Sequence, residues 1–147
     1  MRVALDTNIL AYAEGVNGPR MQEAALRTIE RLPLGSTMLP VQTLGELFRL
    51  LVAKAGRTPQ EARSAILHWR NAFPLIDTTD RVLVAAADLA TNRISIWDAV
   101  IVCAAAEAGC SLLLSEDMQD GFVWGGVTIA NPFAKTLQPI LKSLLDS

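Results

Sequence analysis

Twice in this chain a short apolar run stops at an acidic segment. Arg2-Val3-Ala4-Leu5 leads into Asp6-Thr7-Asn8, and Leu112-Leu113-Leu114 leads into Ser115-Glu116-Asp117. An apolar run this short reads as a strand buried on both faces, as in parallel sheets covered by helices. A polar residue just past such a strand stands where loops and helix N-termini converge, the edge at which open α/β sheets build their sites. The two segments therefore point to one parallel sheet with carboxylates at its tips.

The rest of the chain alternates in the way such a sheet demands. Ser36–Leu39, Leu75–Asp77 and Val127–Ala130 complete a set of about five short strands. Helical patterns fill the intervals: Asn8 to Glu14, Pro19 to Leu32, the stretch after Pro40 to about Ala55, Thr58 to Phe73, Thr79 to Ala90 and Ser95 to Ala108. Thr58-Pro59-Gln60-Glu61 combines an N-cap, a proline at the first helical position and a capping glutamate. Met21, Ala24, Ala25, Leu26, Ile29 and Leu32 recur at three and four spacing, which predicts a core-facing stripe. A terminal amphipathic helix covers Leu137 to Leu145, with Pro139 as a break near its start. Alternating strands and helices imply crossover connections, hence an α/β three-layer sandwich around a mainly parallel sheet. At 147 residues the chain reads as a single domain spanning 1–147.

Composition removes several classes of function. The formal net charge of -2 supplies no broad basic field, so a polyanionic substrate would have to be held locally. Arg49, Lys54, Arg57, Arg63 and Arg70 offer such a local face, or simply two solvated helix surfaces. Cys103 and Cys110 read as small buried hydrophobes, and the lack of a disulfide framework agrees with a reducing, cytoplasmic setting. Asp6 interrupts any secretory h-region. Asp98 and Glu107 interrupt the most apolar window, Ile94 to Leu114, so a membrane span is not expected. Neither a Walker-type loop nor a Gly-x-Gly-x-x-Gly fingerprint occurs. The sole histidine, His68, lies mid-helix and far in sequence from every strand tip, so Ser-His-Asp chemistry is not expected.

The acidic residues each have a plain reading beside a chemical one. Asp6, Thr7 and Asn8 all suit an N-cap, but three capping residues exceed the needs of one helix. Asp98 completes a Ser95-x-x-Asp98 capping pattern, yet it shares its helix face with Ile101, Val102 and Ala105 and so turns toward packed structure. Glu46 could pair with Arg49 three residues on, while Gly45 beside it would let another backbone or a ligand come close. Asp117 lies just past a strand, as does Ser115; Asp120 before Gly121 reads more naturally as a turn residue and ranks below Asp117.

If Asp6, Glu46, Asp98 and Asp117 converge, charge decides the outcome. Two unit charges roughly 4 Å apart at an effective dielectric near 20 repel by about 4 kcal/mol, so the set requires a counter-charge. Oxygen ligands without His or Cys select hard ions, Mg²⁺ or Mn²⁺ rather than Zn²⁺.

Taken together, Val3-Ala4-Leu5-Asp6-Thr7-Asn8, Glu46, Ile96-Trp97-Asp98-Ala99 and Leu114-Ser115-Glu116-Asp117 resemble the PIN-domain nucleases, and within them the VapC-type toxins of toxin-antitoxin pairs. The resemblance runs from Arg2 to about Pro132. It implies a parallel sheet flanked by helices, a Mg²⁺-dependent endoribonuclease that also accepts Mn²⁺, an RNA substrate, a homodimer and a cognate antitoxin partner. The family's acidic ligands map onto Asp6, Glu46, Asp98 and Asp117, with Asn8 and Ser115 as supporting polar groups; Asp120 stands where relatives vary. Asp6 and Asp98 would anchor the ion, with Glu46 and Asp117 holding further waters or a second ion. Two alternatives stand beside this reading. One is an aspartyl-phosphate phosphatase or phosphoreceiver domain, against which Asn8 and the lack of a late lysine count. The other is a catalytically inactive PIN-like interaction module.

Overall fold

The computed structural model describes residues 1–91 and 93–147. Element order is β1 (Val3–Leu5), α1 (Thr7–Ala13), α2 (Gly18–Glu30), β2 (Thr37–Pro40), α3 (Val41–Ala53), α4 (Pro59–Ala72), β3 (Leu75–Ile76), α5 (Asp80–Leu89), α6 (Ile96–Glu107), β4 (Leu112–Leu114), β5 (Val123–Trp124), β6 (Val127–Ala130) and α7 (Pro139–Asp146), with a 3₁₀ turn at Leu34–Ser36. The strands form one sheet in the order β3-β2-β1-β4-β6-β5, parallel except for β5.

Period-two alternation along these strands divides the interior. Val3 and Leu5 of β1 and Leu112 and Leu114 of β4 join the core beneath α1–α4 and α7. Ala4 and Leu113 point the other way, into the core beneath α5 and α6. The three expected layers are therefore present, and every residue of β1 and β4 is buried.

Three local expectations are corrected. A sixth strand, β5, pairs antiparallel with β6 through Gly125 and Gly126, whose φ values of 55° and 83° suit a tight two-residue hairpin. Pro139 does not break the last helix but starts it, since its missing N–H falls on a position with no intrahelical acceptor. The α2 stripe is only partly core-facing: Ala25 and, just past the helix, Leu32 are buried with Ile29 packed against them, whereas Met21 and Ala24 line a surface groove and Leu26 remains 41% exposed. Helix α4 starts as expected, with the Thr58–Glu61 capping box formed in both directions. Among the described residues no helix is long and apolar enough to cross a membrane.

The connections place the site. The chain leaves β1 toward β2 and β3 on one side, then returns to lay β4 on the other side of β1. The strand order reverses between β1 and β4, and the crevice beyond their carboxyl ends is where such sheets bind ligands.

Candidate active site

Backbone bonding brings the two acidic segments side by side, Asp6 N donating to Leu114 O at 2.9 Å, while Ser115 N continues the ladder to Ala130 O of β6 at 3.0 Å. Asp6 occupies the N-cap of α1 in extended backbone, but its Oδ1 accepts from Thr7 N at 2.7 Å. A capping side chain ordinarily takes an amide one or two residues further on. Oδ2 is left to accept from Ser115 Oγ at 2.7 Å. Ser115, fully buried, also accepts from Met118 N at 3.2 Å, so one hydroxyl ties the loop after β4 to Asp6.

Asp6 is only 4% exposed. Burial, the largest influence, pushes its carboxyl up from 3.8 to about 7. The hydrogen bonds from Ser115 and Thr7 pull down against it, and the charges of Asp98 and Glu46 push further up. No Lys or Arg among the described residues forms an ion pair with Asp6.

Asp98 stands in the first turn of α6, where Ser95 Oγ accepts from its backbone N at 3.1 Å. Its half-buried carboxyl is raised by desolvation first, then by the charges of Glu46 and Asp117, while a bond with Ser95 opposes them. Capping and inward orientation thus coexist at this residue. Glu46 of α3 does not pair with Arg49 in any ion pair among the described residues; its Oε2 accepts from Thr7 Oγ1 at 2.6 Å. Gly45 is exposed, and a Cβ there would meet nothing within 4 Å, so no neighbouring backbone explains that glycine.

Asp117 is exposed and acts on Asp98 through its charge. Asp120 instead serves the loop, where its Oδ1 accepts from Asn131 N at 3.0 Å and closes the segment onto the end of β6. Asn8, 6% exposed, accepts from Glu116 N at 3.3 Å through Oδ1, while its buried Nδ2 has no partner. His68 is exposed and sets its ring edge-on to Trp69.

Four carboxylates distant in sequence therefore share one electrostatic neighbourhood, with Asp6 at its buried end and Asp117 at its wet end. Two contributors escape the sequence reading. Thr7, the residue that orients Glu46, is hidden there among capping residues; its place between two polar neighbours is the signal. Tyr12 donates its hydroxyl to Glu116 Oε1 and is held well above its ordinary pKa by burial first and then by Glu116 and Asp117. Its place four residues after Asn8, on the same helix face, points toward the site.

The donor set fits a hard divalent cation. All four candidate ligands are carboxylates, and among the described residues no Lys or Arg is ion-paired with Asp6. Among the described residues no three His, Cys, Asp or Glu side chains stand ready to grip an ion by themselves. Mg²⁺ binds through one or two carboxylates and keeps several waters, so a site of this kind does not need three.

The model of the PIN domain family matches residues 3–119. No curated protein matches. Among solved structures the chain is similar to VapC20 of Mycobacterium tuberculosis, a toxin that cleaves the sarcin-ricin loop (19% identity, TM-score 0.62, covering 76% of this chain and 86% of that one). It is also similar to a toxin-antitoxin complex from Klebsiella pneumoniae (22% identity, TM-score 0.64, 89% and 98%). A third similar structure is VapBC2 from Rickettsia felis, bound to a promoter DNA fragment (16% identity, TM-score 0.63, 89% and 98%). With the family model spanning both acidic strand tips, the chain belongs to the PIN domain family.

Proposed function

We propose that this chain is a divalent-cation-dependent endoribonuclease, the toxin of a toxin-antitoxin pair, which hydrolyses RNA phosphodiester bonds with water. One observation carries the reading: a buried carboxyl at the sheet's switch point, pushed up to about 7, near other acids and, among the described residues, without an ion-paired Lys or Arg. Such a group is unfavourable to the fold alone and becomes useful when a cation is added. The toxins and toxin-antitoxin complexes among the similar structures support the same reading.

Asp6 and Asp98 would hold the ion, Mg²⁺ or Mn²⁺, with Glu46 and Asp117 beside them. When bound, the cation supplies a Lewis acid for a phosphate oxygen and a water of lowered pKa. The remaining work falls to the chain. Ser115 Oγ and Thr7 N fix the Asp6 carboxylate from both sides, so it does not reorganise during the reaction. Thr7 Oγ1 aims Glu46, which is suited to take a proton from the attacking water. Asn8 Oδ1 accepts from Glu116 N and holds the loop after β4 against α1. Exposed Arg49, Lys54, Arg63 and Arg70 supply positive charge for the nucleic-acid backbone.

A groove of about 530 Å³ lies between α2 and the C-terminal segment, lined by Met21, Ala24, Phe133 and Leu137 with Arg20 and Arg31. The uncovered α2 face supports an antitoxin segment as its occupant. Exposed Leu83 and Val84 on α5 support a homodimer, to be checked by light scattering.

The test is cleavage of single-stranded RNA with Mg²⁺ and with a chelator. Products with 5'-phosphate and 3'-hydroxyl ends that require the ion are expected. Cyclic 2',3'-phosphate ends, or cleavage that survives chelation, contradict the proposal.

A further inference from the structure

A cavity of about 350 Å³ adjoins the acidic cup and shares two of its carboxylates, Asp98 and Asp117. The same lining is otherwise largely apolar. Val102 and Ile129 are buried there, and Met118 and Phe122 are half-buried. Gln119 and Arg93, both exposed, bring side-chain donors to the same cavity. The lining thus combines two carboxylates, an apolar wall and hydrogen-bonding side chains.

We propose that this cavity receives the base of a nucleotide flanking the cleaved phosphate, an inference that rests on the nuclease reading of the neighbouring cup. Three observations select a nucleobase. Among the described residues Arg93 is the one cationic side chain of the lining, and the apolar residues give a second phosphate no donors. The apolar surfaces of Val102, Ile129, Met118 and Phe122 match the flat faces of a heteroaromatic ring, and a thioether against a ring edge is a favourable contact. Gln119 and Arg93 can meet the polar edge that every base carries. Continuity sets the attachment: a base is joined through its sugar to the phosphate, and the cavity begins at the carboxylates where that phosphate would be attacked. Bases in single-stranded loops are free to splay outward into such a slot, whereas paired bases are not. The cavity would therefore make one position beside the cut matter more than the others.

The experiment is a methyl NMR titration of the full-length chain with adenosine, guanosine, cytidine and uridine, with ribose 5-phosphate as the base-free control. At least one nucleoside should shift the Val102, Met118 and Ile129 methyls at millimolar concentration, and the control should not. Gln119→Trp, which crowds the cavity from an exposed position, should abolish those shifts while other methyls keep their places. Silence with all four nucleosides, or equal shifts with ribose 5-phosphate, overturns the proposal. A cleavage arm separates the two readings. RNA carrying a single abasic residue at successive positions around the cut should lose about tenfold or more in kcat/KM at one position. Equal cleavage at every abasic position would overturn the cavity's role while leaving the nuclease intact. Failure to cut any RNA would overturn the nuclease reading, and the titration would still judge the cavity.

Discussion

Helix α1 carries a carboxylate at each end, and the two are treated in opposite ways. Glu14 at the C-cap is bound by Arg57 Nη1 at 2.7 Å and by Trp69 Nε1 at 2.9 Å, and Arg57 Nη2 also reaches the Glu14 carbonyl at 2.8 Å. A negative charge there opposes the helix dipole; the guanidinium reverses the disadvantage and pins α1 to the loop before α4, while Trp69 ties it to α4 itself. Asp6 at the N-cap is more deeply buried, yet its partners are two neutral donors and its charged neighbours are other acids. Glu14 is a completed ion pair; Asp6 is half of one. A buried acid with its cation built in serves the fold, whereas a buried acid without one serves something that arrives from outside.

The sharpest way to break that contrast is Asp6→Asn, which keeps the shape and removes the charge. RNA cleavage should fall more than about 100-fold, while the metal-free variant at pH 8 should melt no lower than the wild type. The sign follows from linkage. Since the folded pKa of Asp6 lies near 7 against 3.8 for the free side chain, the folded state holds the proton longer. The metal-free fold therefore loses stability as pH rises from about 4 through 7, by at most about 4 kcal/mol at this group. Denaturant titrations across that range should show the loss in the wild type relative to Asp6→Asn. A difference that stays flat with pH would remove the contrast.

At the other end of α1, Arg57→Ala leaves Glu14 withdrawn from water without its partner. A loss of the order of 2 kcal/mol is expected, tempered because the Arg57 side chain is 27% exposed. Cleavage per folded molecule should not change. If this variant instead lost activity at full stability, the two ends of α1 would not be separable.

Ser115→Ala and Thr7→Val sharpen the contrast further, since each removes one hydroxyl that positions a carboxylate. Each should lower cleavage by about tenfold, with Ser115→Ala the more destabilising because both its partners are buried or half-buried. The smallest effect belongs to His68→Ala, which should alter stability by less than about 0.5 kcal/mol and leave cleavage unchanged.

The strand tips can be read in the sequence because an apolar run that ends in Asp carries its own boundary, and the Thr58 and Ser95 caps announce their helices in four residues. Strand β5 escapes such a reading because Val123 and Trp124 are exposed and too short to show alternation, although Gly125-Gly126 marks their hairpin. Among the acids, the loop-closing place of Asp120 is legible from its position before a glycine. Glu46 is not, because its nearest sequence partner, Arg49, is not its partner in space. The Glu14–Arg57–Trp69 cluster joins residues 43 and 55 positions apart, a separation that local patterns do not encode. Leu26 misleads because a helical stripe records apolar spacing and not what covers it.

The most direct test of the central claim is calorimetric titration of Mn²⁺ into the wild type, Asp6→Asn and Arg57→Ala at pH 7.5. Binding to the wild type and to Arg57→Ala, with loss in Asp6→Asn, is the expected result. Equal binding to all three, or none to the wild type, would contradict the assignment of Asp6 as the acid that waits for a cation.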